Sequence, residues 1–163
     1  MTNLKKLACL ALSGLLIVGS AAALAAEDAS WTEDLQAARK ASKASGKPIL
    51  ADFTGSDWCG FCIKQHKEVF ETAKFQAWAK DNAILLTLDY PSKKKQDART
   101  KKQNEEMKKQ FNITGFPTVI FLTSDGKELG RFVGYSPGSG ADKWIQKAQP
   151  IVDKGKKSGE KGS

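Results

Sequence analysis

Residues 49–66 set an apolar run, a polar turn, a Cys-x-x-Cys pair and a helical pattern end to end, and no other feature restricts the fold as strongly. Lys47-Pro48-Ile49-Leu50-Ala51-Asp52-Phe53 reads as a short strand preceded by a proline and ending near an acid. Thr54-Gly55-Ser56-Asp57 is a turn cluster, and Trp58-Cys59-Gly60-Phe61-Cys62 opens the helix. In that context the pair reads as redox chemistry. The first amides of a helix lack intrahelical partners, and the macrodipole adds partial positive charge there. A thiolate at Cys59 accepts those N–H groups, which lowers its pKa; each unit is worth about 1.4 kcal/mol in favour of the charged form. Two intervening residues let the second sulfur reach the first. Cys59 is therefore expected to attack and Cys62 to resolve the mixed disulfide.

The pair has two other readings. Zinc needs four ligands, and beyond the motif the chain offers only Cys9 and the single histidine, His66. A purely structural disulfide over so short a loop restricts the unfolded chain little. Both are disfavoured, and no metal is expected.

The N-terminus reads as a secretory signal over residues 1–25. Lys5 and Lys6 supply the positive region, Leu7–Val18 the apolar core, and Ala23-Leu24-Ala25 the small-x-small cleavage pattern. An uncleaved anchor fits less well, because the apolar stretch is short for a span. Cys9 leaves with the signal, so the mature chain keeps two cysteines, both in the motif. A lone dithiol in an exported protein points to exchange in an oxidising compartment, periplasmic or secreted. Removing Lys5 and Lys6 lowers the formal charge from +8 to +6. The remaining excess sits in Lys93–Lys95, Lys101-Lys102, Lys108-Lys109 and the tail. No aromatic residues interleave with these lysines as a nucleic-acid platform requires, so they read as a solvated face. Residues 153–163 are Lys, Gly, Ser and Glu with one Asp, a composition expected to remain unstructured.

The domain is expected over residues 26–152. Thr32–Ser45 reads as a helix capped by Thr32 and stopped by Gly46 and Pro48, with Leu35, Ala38 and Ser42 on one side. After Cys59 the helical pattern runs through Ile63, His66, Val69 and Phe70, with a restart near Thr72. Ala83–Leu88 is a strand covered on both faces. Strand, helix, strand implies a right-handed parallel crossover. Pro91–Gln110 is lysine-rich and helical toward its end. Thr118–Leu122 and Glu128–Tyr135 form an antiparallel hairpin around Ser124-Asp125-Gly126-Lys127. A closing helix spans about Ala141–Gln149, with Trp144, Ile145 and Ala148 buried and Pro150 at its end.

Taken together, Trp58-Cys59-Gly60-Phe61-Cys62 and Gly115-Phe116-Pro117-Thr118 resemble the thioredoxin-like superfamily, in particular its exported members, over roughly residues 31–152. The resemblance implies an α/β fold with a central mixed sheet of four to five strands flanked by helices. It implies a Cys59–Cys62 disulfide and a cis Phe116–Pro117 peptide facing it, with the backbone of Phe116 available to an extended substrate. Asp52 resembles the buried acid that handles the proton of the resolving cysteine. It stands one residue farther from the dithiol than in cytosolic thioredoxins, and the lysine that often partners this acid is absent, with Leu85 or Leu86 near the matching place. Trp58, Gly60 and Phe61 would shield the dithiol, set its poise and meet substrate. His66, four residues after Cys62 on the same helical face, is placed to tune that thiol, but the favoured reading is an ordinary, partly exposed helix histidine.

The resulting expectation is an exported thiol–disulfide oxidoreductase, a monomer without bound cofactor, acting on protein disulfides. Architectures of this kind span about −270 to −120 mV. Gly60-Phe61 places no histidine near Cys59, which favours a reductase over an oxidase or isomerase. A reductase in an oxidising compartment needs electrons from a membrane donor. The alternatives are a dithiol copper chaperone, disfavoured by the absence of clustered Met or His, and a binding module with an incidental dithiol.

Overall fold

A computed structural model describes residues 29–160, with side chains to Lys156. The signal segment falls outside the described residues, and among those described no helix is long and apolar enough to cross a membrane. The chain runs β1 (Trp31–Thr32), α1 (Leu35–Ser45), β2 (Ile49–Thr54), α2 (Gly60–Gln65), a π-helical turn (His66–Phe70), α3 (Ala73–Asn82), β3 (Ile84–Asp89), α4 (Ala98–Gln110), β4 (Thr118–Leu122), β5 (Glu128–Val133) and α5 (Gly140–Glu160). The strands form one mixed sheet in the order β1-β3-β2-β4-β5. β3 lies parallel to β1 and β2, whereas β4 lies antiparallel to β2 and β5.

The period of two along β2 divides the core. Ile49, Ala51 and Phe53 point to one face, where they meet Leu35, Met107 and Ile120 from α1, α4 and β4. Leu50 points to the other, beside Phe70, Phe75, Trp144 and Val152. Every residue of β2 and β4 is buried, because helices cover both sides. By the same alternation Asp52 shares the face of Leu50, the side on which α2, α3 and α5 pack.

Local signals set most boundaries. Gly46 ends α1 in the left-handed conformation, φ 70°, with its N–H on the Ser42 carbonyl at 2.9 Å. Thr72 caps α3 by accepting from the Phe75 amide at 3.2 Å.

The structure corrects two expectations. Thr32 belongs to β1, and Asp34 caps α1 by accepting from the amides of Gln36 and Ala37 at 2.7 and 3.1 Å; a carboxylate is the stronger acceptor. The closing helix does not stop at Pro150 but continues to Glu160, so residues 153–160, expected to be unstructured, are helical. An interior proline costs a helix about 3 kcal/mol. Burial offsets that cost: Val152 has no exposed surface, and a Cβ on Gly155 would stand 2.6 Å from Leu129 and 3.2 Å from Pro48. Lys156 Nζ then reaches the Asp81 carbonyl at 3.2 Å and Asn82 Oδ1 at 2.9 Å. Composition missed this because two small apolar contacts suffice to dock the last turns.

Candidate active site

β2 ends at Thr54, and its turn is held against β3. The Thr54 carbonyl accepts from the Tyr90 amide at 2.9 Å. Ser56 donates its amide and hydroxyl to the Asp89 carboxylate at 2.9 and 2.6 Å. The carboxylate of Asp57 accepts from the amides of Ser92, Lys93 and Lys94 at 2.9, 2.7 and 2.9 Å. Those bonds, the Ser92 amide foremost, lower its pKa to about 2. The lysine-rich segment is thus tied to the turn that carries the cysteines, a link that lysine counting alone did not reveal.

The Cys59 amide donates to the Gly55 carbonyl at 2.9 Å, closing the turn, and Cys59 becomes the N-cap of α2. Its sulfur accepts from the Cys62 amide at 3.3 Å. Cys59 and Cys62 are joined as a disulfide with Cα atoms 5.2 Å apart. Cys59 is 7 % exposed and Cys62 1 %, so the first cysteine is the less buried of the two. The helix N-terminus predicted beside the first cysteine is present, with a donor directed at its sulfur.

Aromatic side chains frame the couple. Trp58 is half-exposed, and its Nε1 donates to the Tyr90 carbonyl at 2.8 Å while the ring meets Phe116 edge-on, centroids 5.7 Å apart. Gly55 gives the indole its place: a Cβ there would lie 2.5 Å from Trp58 Cε2. Phe61 stands half-exposed, and Gly60 has open space above its Cα. The Phe116–Pro117 peptide is cis and leads into β4. Tyr90 packs against Phe116 at 5.1 Å, and Lys108 Nζ lies 5.3 Å from the Tyr90 centroid. Burial raises the Tyr90 phenol well above its usual pKa.

On β2, the strand that leads to the couple, Asp52 has no exposed surface. In register it stands across from Thr87 on β3 and Val119 on β4. This corrects the expectation that Leu85 or Leu86 takes the partner's place; β3 is shifted so that Thr87 does. An ionisable partner nevertheless exists, from the helix. His66 Nε2 lies 2.8 Å from Asp52 Oδ2. The expectation of an ordinary helix histidine is therefore corrected as well. Its signals were the i, i+4 spacing from Cys62 and the phase of Asp52 on β2, and both had to be read together. Burial raises the Asp52 pKa, with His66 opposing. For His66, burial acts to lower the pKa, but the hydrogen bond and charge of Asp52, joined by Glu71 and Asp89, outweigh it and raise it. Among the described residues, no group of three or more His, Cys, Asp or Glu side chains is arranged to hold a metal ion.

Comparison with known proteins agrees with this geometry. A thioredoxin-like domain family matches residues 35–149. The disulfide bond reductase DsbH of Chlamydia pneumoniae is 37 % identical over 118 residues, 72 % of this chain and 70 % of that protein. A solved structure of a DsbH oxidoreductase superposes with a TM-score of 0.72 at 32 % identity, covering 86 % of this chain and 95 % of the other. The thiol:disulfide interchange protein DsbD of Cronobacter sakazakii is 32 % identical over 124 residues, but that stretch is 75 % of this chain and only 20 % of DsbD. The chain belongs to the thioredoxin-like family, as a thiol–disulfide oxidoreductase with the Cys59–Cys62 couple as its redox centre.

Proposed function

We propose that the protein is an exported reductase of protein disulfides. The observation that carries this reading is the couple itself, with Cys59, the less buried of the two, at a helix N-terminus and Cys62 more deeply buried. In the reduced protein the Cys59 thiolate attacks one sulfur of a substrate disulfide; a Cys59–substrate bond forms and the other substrate sulfur leaves as a thiolate. Cys62 then gives up its proton, its sulfur bonds to that of Cys59, and the Cys59–substrate bond breaks. Two electrons pass to the substrate, and the Cys59–Cys62 disulfide is the product.

Asp52 serves as base for Cys62. Trp58, Phe61 and Phe116 form the apolar rim on which a polypeptide lies, and the backbone ahead of Pro117 pairs with it as an added strand. The direction toward reduction is supported by the similarity to DsbH and by the absence of a histidine between the cysteines. The signal-like residues 1–25 and the lone dithiol support a periplasmic location, where a membrane donor supplies the electrons. Replacing Cys62 with alanine tests the reading: disulfide-linked partner proteins should accumulate on Cys59 and disappear on addition of dithiothreitol. A Cys62→Ala protein that captures nothing while Cys59 remains reactive toward a small maleimide would contradict it.

A further inference from the structure

A buried carboxyl that serves as a base must keep one oxygen open while the other is held, and the surroundings of Asp52 meet both conditions. Asp52 Oδ2 is bound to His66 Nε2 at 2.8 Å, whereas Oδ1 is buried with no hydrogen-bond partner. An orphaned acceptor at a fully buried site is costly and calls for a reason. His66 reaches this position through the backbone. It lies one turn beyond Cys62, its amide bonds to the Cys62 carbonyl, and it opens the π-helical turn in which the Glu71 amide binds the His66 carbonyl at 2.8 Å. Such turns recur at functional sites. The ring is wedged between Trp31, centroid 5.9 Å away, and the edge of Phe70 at 5.0 Å. Its side chain is 30 % exposed, so it connects the buried carboxyl to solvent.

We propose that His66 is a positioning residue for the resolving step: it holds Asp52 by one oxygen as a carboxylate and leaves the other oxygen to take the proton of Cys62. The role rests on the reductase reading above. The Cys62 thiol transfers its proton to Asp52 Oδ1; the freed electron pair forms the Cys59–Cys62 bond as the Cys59–substrate bond breaks, and the substrate sulfur leaves with its pair. The charged groups around the pair are Asp89 from β3 and Glu71 after the π turn, both acidic, and both favour a protonated His66. Without His66 the carboxyl has no cationic neighbour on either strand beside it, since Thr87 and Val119 are uncharged. Its proton affinity then rises further.

The test is single-turnover oxidation of the reduced protein by excess glutathione disulfide, followed by tryptophan fluorescence from pH 5 to 9. In the wild type the resolving step should rise with pH as Asp52 ionises. His66→Leu should move that midpoint upward by about one pH unit and slow resolution near neutrality by about tenfold. His66→Lys, which keeps a cation at the site, should restore most of the midpoint. In an Asp52→Asn background, His66→Leu should have no further effect, because the group it positions is gone. The attack step, read separately in Cys62→Ala, should be changed less than resolution by His66→Leu. The role is overturned if the His66→Leu profile superimposes on the wild type, or if its loss persists undiminished beside Asp52→Asn. A wild-type protein inert toward disulfides would remove the reductase reading and this role with it, whereas a reactive wild type with an indifferent His66→Leu removes the role alone.

Discussion

A carboxyl buried as completely as Asp52 binds its proton more tightly in the folded chain than in the unfolded one, so it favours folding less as pH rises. The sign is definite. Below the ordinary carboxylate pKa the group is neutral in both states; above it the unfolded chain ionises first, and the folded carboxyl takes up its desolvated charge only above the raised value. The His66 pKa is raised as well, and its stabilising contribution is complete below the usual histidine pKa and lost as pH rises through the higher folded value. Both effects weaken the native state toward alkaline pH. Asp52→Asn should therefore melt close to the wild type at pH 4 and above it at pH 8, the gap widening steadily between. Melting curves across that range check this, and a gap that narrows with pH would contradict it. At Gly55 the constraint is steric rather than electrostatic. An alanine there drives its Cβ into the Trp58 ring, so Gly55→Ala should shift the tryptophan emission and slow substrate reduction several-fold while leaving the disulfide able to form.

Among the elements, α5 and the 91–95 segment show how tertiary contacts decide what local sequence leaves open. Val152 lies on the stripe of Trp144 and Ala148, wholly buried two residues beyond a proline that looks like a terminator. Val152→Ala should cost about 1.5–3 kcal/mol of stability, which chemical denaturation resolves. A value near zero would mean that the helix beyond Pro150 contributes nothing. The lysine-rich segment has its own clasp. Loss of the three amide bonds in Asp57→Ala should expose Lys93–Lys95 to trypsin several-fold faster than in the wild type. Because the Asp57 pKa is depressed to about 2, the clasp should hold at mildly acidic pH and weaken only as pH falls toward that value.

The legible parts of the sequence were those with a local cause. Apolar runs defined β2, β3 and β4, Gly46 and Thr72 marked helix ends, and the Cys59–Cys62 spacing named the redox couple. Other features depend on partners distant in sequence. β1 is two residues long and exists only through its pairing with β3. The Asp52–His66 contact depends on how a strand phase meets a helix phase across fourteen positions. The docking of residues 151–156 needs Pro48, Leu129 and the Asp81–Asn82 corner in place.

At the scale of the whole molecule, a sheet covered on both faces supports a small reactive couple at the C-terminal end of β2. Above that couple lie Trp58 and Phe61, large apolar side chains left half in water, which is unusual exposure for groups of this size. The Asp52–His66 pair sits among apolar side chains, with the His66 ring beside Trp31 and Phe70. In the proposed function, substrate would meet the rim and the proton of Cys62 would pass to Asp52, while the electrons move through the sulfurs. The measurement that tests this arrangement most directly is redox equilibration of the purified protein against glutathione buffers, with the dithiol fraction read by thiol alkylation. A reductase predicts full, reversible opening of the Cys59–Cys62 bond and a potential below about −200 mV, on the thioredoxin side of the family's range. A bond that no buffer opens in the native protein, or a potential near about −120 mV, would contradict it.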